Sequence, residues 1–347
     1  MVTLGSDSHK RTHTVVAADG NGRRLGSRTV TATSAGHLEA LHWARQWPER
    51  RWALEDCRHL SRRLEMDLLT AGEAVLRVPP RLMAGARQGG RELGKSDPID
   101  ALAVARAALR EPGLPVARLE GASREVKLLL DHREDMVAER TRIQNRLRWH
   151  LHELEPGYEI PLRGLDRKVV LGALVELLST HQGVVAEIAS ELIAEITRKT
   201  EQINQLERRV AGLMAELAPN LLALEGCAAL TAAKIVGETA DVGRFKSRAA
   251  FAMNNGTAPI PVWSGNHTRH RLNRGGNRQL NAALHRIAVT QIRLACPGRA
   301  YLERRMAAGN TKTEAIRALR RRISDEVYRR LWQDHLVASA PPAAVAA

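Results

Sequence analysis

Two aspartates, Asp97 and Asp100, lie three residues apart in the stretch GKSDPIDALAVARAAL. The alanine-rich continuation predicts a helix, and a spacing of three places both carboxylates on one of its faces. One interpretation is structural, because Asp97 followed by Pro98 is typical of a helix start and an acid in the first turn complements the helix dipole. The other is chemical, because carboxylates are preferred ligands of hard divalent cations. The pair alone is compatible with both.

Two more acids end predicted strands in the same part of the chain. Asp7 ends VTLGSD, and Glu55 lies near the end of RRWALED. Residues 1 to 112 show three strands that form an antiparallel meander, followed by helix, strand, helix, strand and the Asp97 helix. This order is that of an α/β ribonuclease-H-like fold, whose first and fourth strands are neighbours. We therefore expect all four acids to converge at one edge of a sheet.

Four converging carboxylates repel one another unless cations neutralise them. Oxygen ligands and phosphate chemistry favour Mg²⁺, with Mn²⁺ as the alternative. Two such ions can activate an attacking oxygen and stabilise a leaving oxygen in phosphoryl transfer. The sequence therefore predicts a catalytic metal site in the first domain, formed by Asp7, Glu55, Asp97 and Asp100.

The chain is strongly basic. Its 347 residues include 53 Lys and Arg against 38 Asp and Glu, a net charge of +15, which predicts a polyanionic partner. From Ser264 to Arg330 there are 15 Arg and one Lys against four acids. Arginine suits bidentate phosphate contacts, although a solvated basic face and, for Asn277, a helix cap are the alternatives. The predicted nucleic-acid contacts are Arg140, Arg146, Arg269, Arg271, Arg274, Asn277, Arg278, Arg317, Arg320 and Arg321.

Several classes of protein do not fit the composition. No apolar run approaches the roughly 18 residues of a membrane span, and the N-terminus lacks a signal-peptide core. Cys57, Cys227 and Cys296 are far apart, which fits a reducing cytoplasm rather than a disulfide framework. His267 and His270 lack the further ligands of a zinc site. We expect a cytoplasmic protein without a membrane partner, nucleoid-associated when bound to DNA.

The rest of the chain is predicted to be helical. Residues 113–219 contain an arginine-rich helix, the link EPGYEIPLRG and a seam with coiled-coil spacing in which Lys199 is the one polar position. The two helices can fold back as a hairpin or pair with a second chain, and both interpretations stay open. Residues 220–335 predict a mostly α-helical C-terminal domain, and residues 336–347 have the composition of a disordered tail. The seam positions are Leu192, Ile196, Lys199, Ile203, Leu206, Val210, Leu213 and Leu217.

The blocks GSDSHK, ALEDC and KSDPIDALAVARAAL resemble the D, E and DxxD blocks of DEDD-type insertion-sequence transposases. The resemblance continues through RTRIQNRLRWHL and from EGCAAL to VTQIR, so it covers nearly the whole chain except the tail. It implies a RuvC-like N-terminal domain and guidance by a structured bridge RNA. It also implies a nucleophilic serine in the motif S-G followed by a basic stretch and R-x-G-N-R-x-L, and the matching residue is Ser264.

Two positions depart from the family pattern. Trp263 stands where the family often has a second serine, which leaves Ser264 as the hydroxyl at this point. Ala228 stands where a helix-hairpin-helix turn at Gly226 usually has its second glycine, which argues against backbone contact with phosphate there. From the residues alone, a serine beside a glycine is typical of a turn, and its hydroxyl needs a base, a metal or dense positive charge to react. Neighbours that could polarise a phosphate are Asn266, His267, Arg269, Arg271 and Arg274.

Together with the predicted metal site and the basic charge, the resemblance implies a transposase that cuts and rejoins double-stranded donor and target DNA. It also implies a covalent serine–phosphate intermediate and a bridge RNA, and we expect a homo-oligomer, a dimer that forms a tetramer on DNA. Because the acids and Ser264 are far apart in sequence, their active site must be composite. One alternative is a hydrolytic RuvC-like nuclease or Holliday-junction resolvase with water as the nucleophile. The other is a non-catalytic nucleic-acid-binding scaffold.

Overall fold

The computed structural model describes residues 1–80, 82–83, 96–118, 121–264 and 267–339. The chain divides into two compact units, Met1–Glu120 and Gly121–Ala347. Among the described residues, no helix is both long and apolar enough to cross a membrane. The basic, glycine-rich link before Ser96 lies outside the described residues.

The first unit is built on a five-stranded mixed sheet. Its strands have the order β3-β2-β1-β4-β5, antiparallel from β1 to β3 and parallel from β1 to β5. This is the strand order of the ribonuclease-H and RuvC-like folds, so the predicted fold class is confirmed. The elements are β1 (Val2–Ser8), β2 (Thr12–Ala18), β3 (Arg24–Thr31), α1 (Ser34–Ala44), β4 (Arg50–Glu55), α2 (Arg58–Thr70), β5 (Val75–Val78) and α3 (Asp97–Arg110).

The two faces of the sheet bury different side chains, because residues alternate between faces along a strand. One face packs large apolar residues such as Trp52 and Leu54 against α1 and α2. The other face carries α3, whose alanines lie against small residues of β1, β2 and β4. Gly5 makes this approach possible: a Cβ there would lie 2.1 Å from the Ala101 carbonyl oxygen and 2.5 Å from the Ala105 amide nitrogen.

The second unit begins with an antiparallel hairpin of two long helices. Arg133 bonds Glu207 near one end and Arg140 bonds Thr200 further along, so the helices run in opposite directions. The polar seam residue Lys199 donates to Glu139 across the hairpin at 2.6 Å. The helices are α4 (Ala122–Leu154) and α6 (Val184–Leu217), with α5 (Lys168–Leu178) between them.

Most of the apolar seam is buried within this one chain. Leu192 and Ile196 pack against α4 and α5, while Val210 joins the core of the helices that follow. The seam is therefore covered by intramolecular packing, and pairing with a second chain stays a prediction. The helical segment and the predicted C-terminal domain share one core, which is why they form a single compact unit.

The remaining elements are short helices, one β-hairpin and a long final helix. The end of that helix, 336–339, overlaps the start of the predicted tail. Residues 340–347 lie outside the described residues, so the disordered tail stays a prediction. The elements are α7 (Pro219–Leu222), α8 (Ala229–Thr239), α9 (Arg248–Asn254), β6 (Ile260–Ser264), β7 (His267–Arg271), α10 (Arg278–Arg293), α11 (Pro297–Ala307) and α12 (Lys312–Ser339).

Candidate active site

Two of the predicted acids are brought side by side by parallel strand pairing. In β1 and β4, Ser6 is the register partner of Leu54, so the next positions, Asp7 and Glu55, lie together at the carboxyl ends of the strands. Both follow positions that face α1 and α2, and strand alternation therefore directs them to the face that carries α3. Asp7 is buried and Glu55 is half-buried.

The other two acids come from the first turn of α3. The helix begins at Asp97 after the N-cap Ser96, with Pro98 next, and the Asp100 amide donates to the Ser96 carbonyl at 3.0 Å. The structural interpretation of the pair is thus correct for the helix start. Asp100 is nevertheless buried, whereas the Asp97 side chain is about half exposed. The first turn therefore faces the sheet edge as well as solvent.

The carboxyl group of Asp7 is influenced by burial and by three charged neighbours. Burial raises the pKa of Asp7 above its usual value, and the carboxylates of Asp100 and Asp97 raise it further, while His9 opposes them. Such a group of buried and neighbouring carboxylates costs free energy unless a cation joins it. The oxygen-rich donor set fits a divalent cation.

A histidine that sequence reasoning missed completes the cluster. His9 Nε2 lies 3.0 Å from Asp7 Oδ2 and 3.4 Å from Asp97 Oδ1. One ligand atom from each of these three residues lies within 4.8 Å of the other two, a grouping that could hold a metal ion. The signal in the sequence is D-x-H at a strand end, because residues two apart share a face of a strand.

Glu55 and Asp100, the other two predicted acids, belong to the same region of the first unit. The pKa of the Cys57 thiol is raised mainly by burial and also by the carboxylates of Glu55 and Asp7, so both acids lie near the same thiol. The carboxylate of Asp100 likewise raises the pKa of Asp7. The structure therefore brings the four predicted acids to one sheet edge, and His9 joins Asp7 and Asp97 there.

The predicted nucleophile lies on the β-hairpin of the second unit. Ser264 is the last residue of β6, whereas the sequence suggested a turn, and its register partner in β7 is His267. Two positions further along the pair, Val262 is the partner of Arg269. Asn266 lies outside the described residues, so its predicted contact with phosphate has no structural description.

Several predicted nucleic-acid contacts have partners within the chain. Asn277 caps α10 by accepting from the amides of Gln279 and Leu280 at 2.9 and 3.1 Å, and it donates to Glu238 at 2.7 Å. Arg320 donates to Asn281 at 2.9 Å, and its pKa is lowered mainly by burial.

Two further predicted contacts form ion pairs within the second unit, and five others are exposed. Arg321 forms an ion pair with Asp325, and Arg140 lies 3.2 Å from Asp166, so both are held within the second unit. In contrast, the side chains of five predicted contacts are exposed to solvent: Arg146, Arg271, Arg274, Arg278 and Arg317. These five are available to a phosphate without the loss of an ion pair described in the structure.

Two family models match the sequence. Residues 4–156 match the model described as Transposase (DEDD_Tnp_IS110), and residues 218–303 match the model described as Transposase IS116/IS110/IS902 family. The first match contains the four predicted acids and His9, and the second contains Ser264.

Proteins of three insertion elements are similar to this chain. An IS116 protein of Streptomyces clavuligerus is 28% identical, with 98% of this chain and 97% of that protein covered. An IS900 protein of Mycobacterium paratuberculosis is 25% identical, with 97% and 96% covered. An IS110 protein of Streptomyces coelicolor is 28% identical, with 66% and 69% covered.

Solved structures of RuvC from Thermus thermophilus also match. One, in complex with a Holliday junction substrate, is 17% identical with a TM-score of 0.27 and covers 34% of this chain and 99% of its own. A second is 18% identical with a TM-score of 0.28 and covers 34% of this chain and 100% of its own.

Proposed function

We propose that this chain, which belongs to the IS110/IS116 family of insertion-sequence transposases, cuts and rejoins DNA with a metal-binding acidic site in its first unit and Ser264 in its second. The observation that carries the proposal is the grouping of Asp7 and Asp97 around His9 at the sheet edge, with Asp100 in the same helix turn as Asp97. Glu55 follows Leu54, the last register partner of β1, as Asp7 follows Ser6. Mg²⁺ or Mn²⁺ is the cation that this donor set fits.

The acidic site would act on the scissile phosphate. A divalent cation bound there would supply a Lewis acid that stabilises charge on the phosphate oxygens. Asp7, Glu55, Asp97 and Asp100 would hold the cation. Because Asp7 is buried on β1 and Asp97 starts a packed helix, both carboxylates are held in place before DNA arrives.

Ser264 would provide the nucleophile. Its hydroxyl oxygen would form a bond to phosphorus as the bond to the sugar oxygen breaks, and the serine proton would pass to a base while the leaving oxygen gains a proton. The resulting serine–phosphate ester conserves the bond energy that rejoining needs. Support comes from the match at residues 218–303 and from the basic strand β7, which pairs with the strand that carries Ser264.

The partners would be double-stranded donor and target DNA and a structured bridge RNA. The net charge of +15 and the exposed arginines support polyanionic partners. We also propose a homo-oligomer, a dimer that becomes a tetramer on DNA, working in the cytoplasm at the nucleoid.

A hydrolytic nuclease or junction resolvase is the second candidate. One observation favours it: the first unit by itself supplies Asp7, His9 and Asp97, a grouping that could hold a metal ion, and hydrolysis needs no serine nucleophile. Water would then replace the serine hydroxyl as the nucleophile. A non-catalytic scaffold is disfavoured, because a scaffold gains nothing from clustered carboxylates in a basic protein.

A trapping experiment separates these candidates. Full-length protein is incubated with Mg²⁺, the structured RNA transcribed from the flanking segment, and DNA that carries the insertion-sequence junction. The mixture is then denatured, and covalent protein–DNA product is resolved by electrophoresis. We expect product with the native chain and with the exposed-serine control Ser179→Ala, but not with Ser264→Ala or Asp7→Asn. Free cleaved ends from Ser264→Ala would favour the hydrolytic nuclease. Unchanged recombination with both Asp7→Asn and Glu55→Gln would favour the scaffold.

A further inference from the structure

The connection between β1 and β2 holds His9 at the sheet edge where the four acids lie, which we call the acidic edge. It directly follows β1, and its backbone amide donates to the Thr12 carbonyl at 2.9 Å, which closes the connection to β2. The backbone of His9 is therefore fixed by the sheet rather than by a long loop. Its side chain is about half exposed, so a ligand from solvent can reach the ring.

The ring nitrogen occupies a position that suits a ligand atom. His9 Nε2 lies 3.0 Å from one oxygen of Asp7 and 3.4 Å from one oxygen of Asp97. One ligand atom from each of the three residues lies within 4.8 Å of the other two. Ligand atoms about 2.1 Å from one ion lie roughly 3 Å apart when they are adjacent in its coordination shell. The two distances from His9 Nε2 are thus close to the spacing that adjacent ligands of one ion require.

We propose that His9 is a nitrogen ligand of the divalent cation and that it makes this site prefer Mn²⁺ over Mg²⁺. The inference rests on the proposed function, because it concerns the same cation. Mg²⁺ takes oxygen ligands in strict octahedral geometry and gains little from an imidazole, whereas first-row transition ions accept imidazole nitrogen readily. An oxygen-only site would have a smaller preference, because carboxylate and water ligands suit both ions.

A purely structural role for His9 makes a different prediction. In that case the ring only forms a hydrogen bond between two carboxylates and moves aside when a cation binds. The metal would then be bound by oxygen atoms alone, and substitution of His9 would leave the choice of metal unchanged. A measurement on the metal itself distinguishes the two roles.

Pulsed electron paramagnetic resonance of the Mn²⁺-loaded full-length protein provides that measurement. We expect nitrogen modulation of the Mn²⁺ echo from a directly bound imidazole in the native protein. The modulation should disappear in His9→Asn and persist in His42→Asn, a control at an exposed histidine of α1. Modulation that survives in His9→Asn would overturn the proposal.

Calorimetric titration with Mn²⁺ and with Mg²⁺ gives a second measurement. We expect the native protein to bind Mn²⁺ at least about tenfold more tightly than Mg²⁺, and His9→Asn to lose most of that ratio while it keeps its melting temperature. An unchanged ratio in a folded His9→Asn would overturn the role of His9 and leave the proposed function intact. Equal Mn²⁺ binding by the native protein and Asp7→Asn would instead overturn the metal site of the proposed function.

Discussion

The acidic edge of the first unit, formed by Asp7, Glu55, Asp97 and Asp100, differs from the arginine-rich surface of the second unit in what holds its charged side chains in place. Asp7 and Glu55 are fixed by strand register and Asp97 by the start of a packed helix, so like charges are held together by the backbone. In the second unit, several arginines are instead held by acids or amides of the same chain, as Arg321 is by Asp325. In the proposed catalytic cluster, the repulsion between carboxylates is tolerated because the site needs them at fixed positions. On the proposed binding surface, only some of the arginines are left without an acidic partner.

The largest effect that would test this contrast is removal of one fixed acid. Asp7→Asn keeps the shape of the side chain but removes the charge that the cation needs. We expect cleavage of labelled DNA to fall by roughly 10³-fold, about 4 kcal/mol of transition-state stabilisation. The control Glu49→Gln removes an exposed acid and should retain activity. Near-native cleavage by Asp7→Asn would mean that the cluster is only structural.

The second effect concerns His13, a buried histidine of β2. His13 is buried in the sheet and stacks on His37, with ring centroids 5.2 Å apart, and its pKa is lowered to about 4 by burial and by the neighbouring His37 and His9. Its ordinary pKa is about 6.5, so the unfolded chain takes up a proton at a higher pH than the folded chain does. The first unit should therefore lose stability as the pH falls from 6.5 to 4, by up to about 3 kcal/mol.

Hydrogen exchange of the β1 and β2 amides, followed in the full chain by mass spectrometry, measures this loss. The control is His13→Gln, which is neutral throughout and should flatten the pH dependence between 6.5 and 4. Amides of α4 and α6 in the second unit serve as an internal reference. If the slope persisted in His13→Gln, another group would be responsible for it.

The third effect concerns the close approach of α3 to β1. Gly5→Ala places a methyl group 2.1 Å from the Ala101 carbonyl, so the helix has to move and Asp97 moves with it. We expect a loss of about 2 kcal/mol in stability, measured by thermal unfolding, together with weaker Mn²⁺ binding. Gly20→Ala is the matched control, because a Cβ there meets nothing within 4 Å. Native metal binding by Gly5→Ala would show that α3 need not lie so close.

The sequence predicts the acidic edge well, because strand order and the DxxD spacing are local patterns that a known fold converts into one location. The role of His9 is harder to predict. The D-x-H pattern places His9 near Asp7, but it does not show that the ring also lies beside Asp97 of α3. The hydrogen-bond partners of polar side chains are not predicted either, because they are far away in the sequence: Asn277 donates to Glu238, 39 residues away. Composition predicts that the surface is basic, but only tertiary packing decides which arginines are already paired.

The smallest effect distinguishes paired from exposed arginines. Arg271 and Arg274 are exposed, so replacing either with alanine should weaken DNA binding about fivefold, roughly 1 kcal/mol, and lower the salt dependence by about one phosphate contact. Arg321→Ala should change affinity less, because Asp325 already neutralises that guanidinium. Fluorescence anisotropy at several salt concentrations gives both quantities. An equal loss in Arg321→Ala would mean that DNA competes successfully with Asp325, so that intramolecular pairing does not remove an arginine from the binding surface.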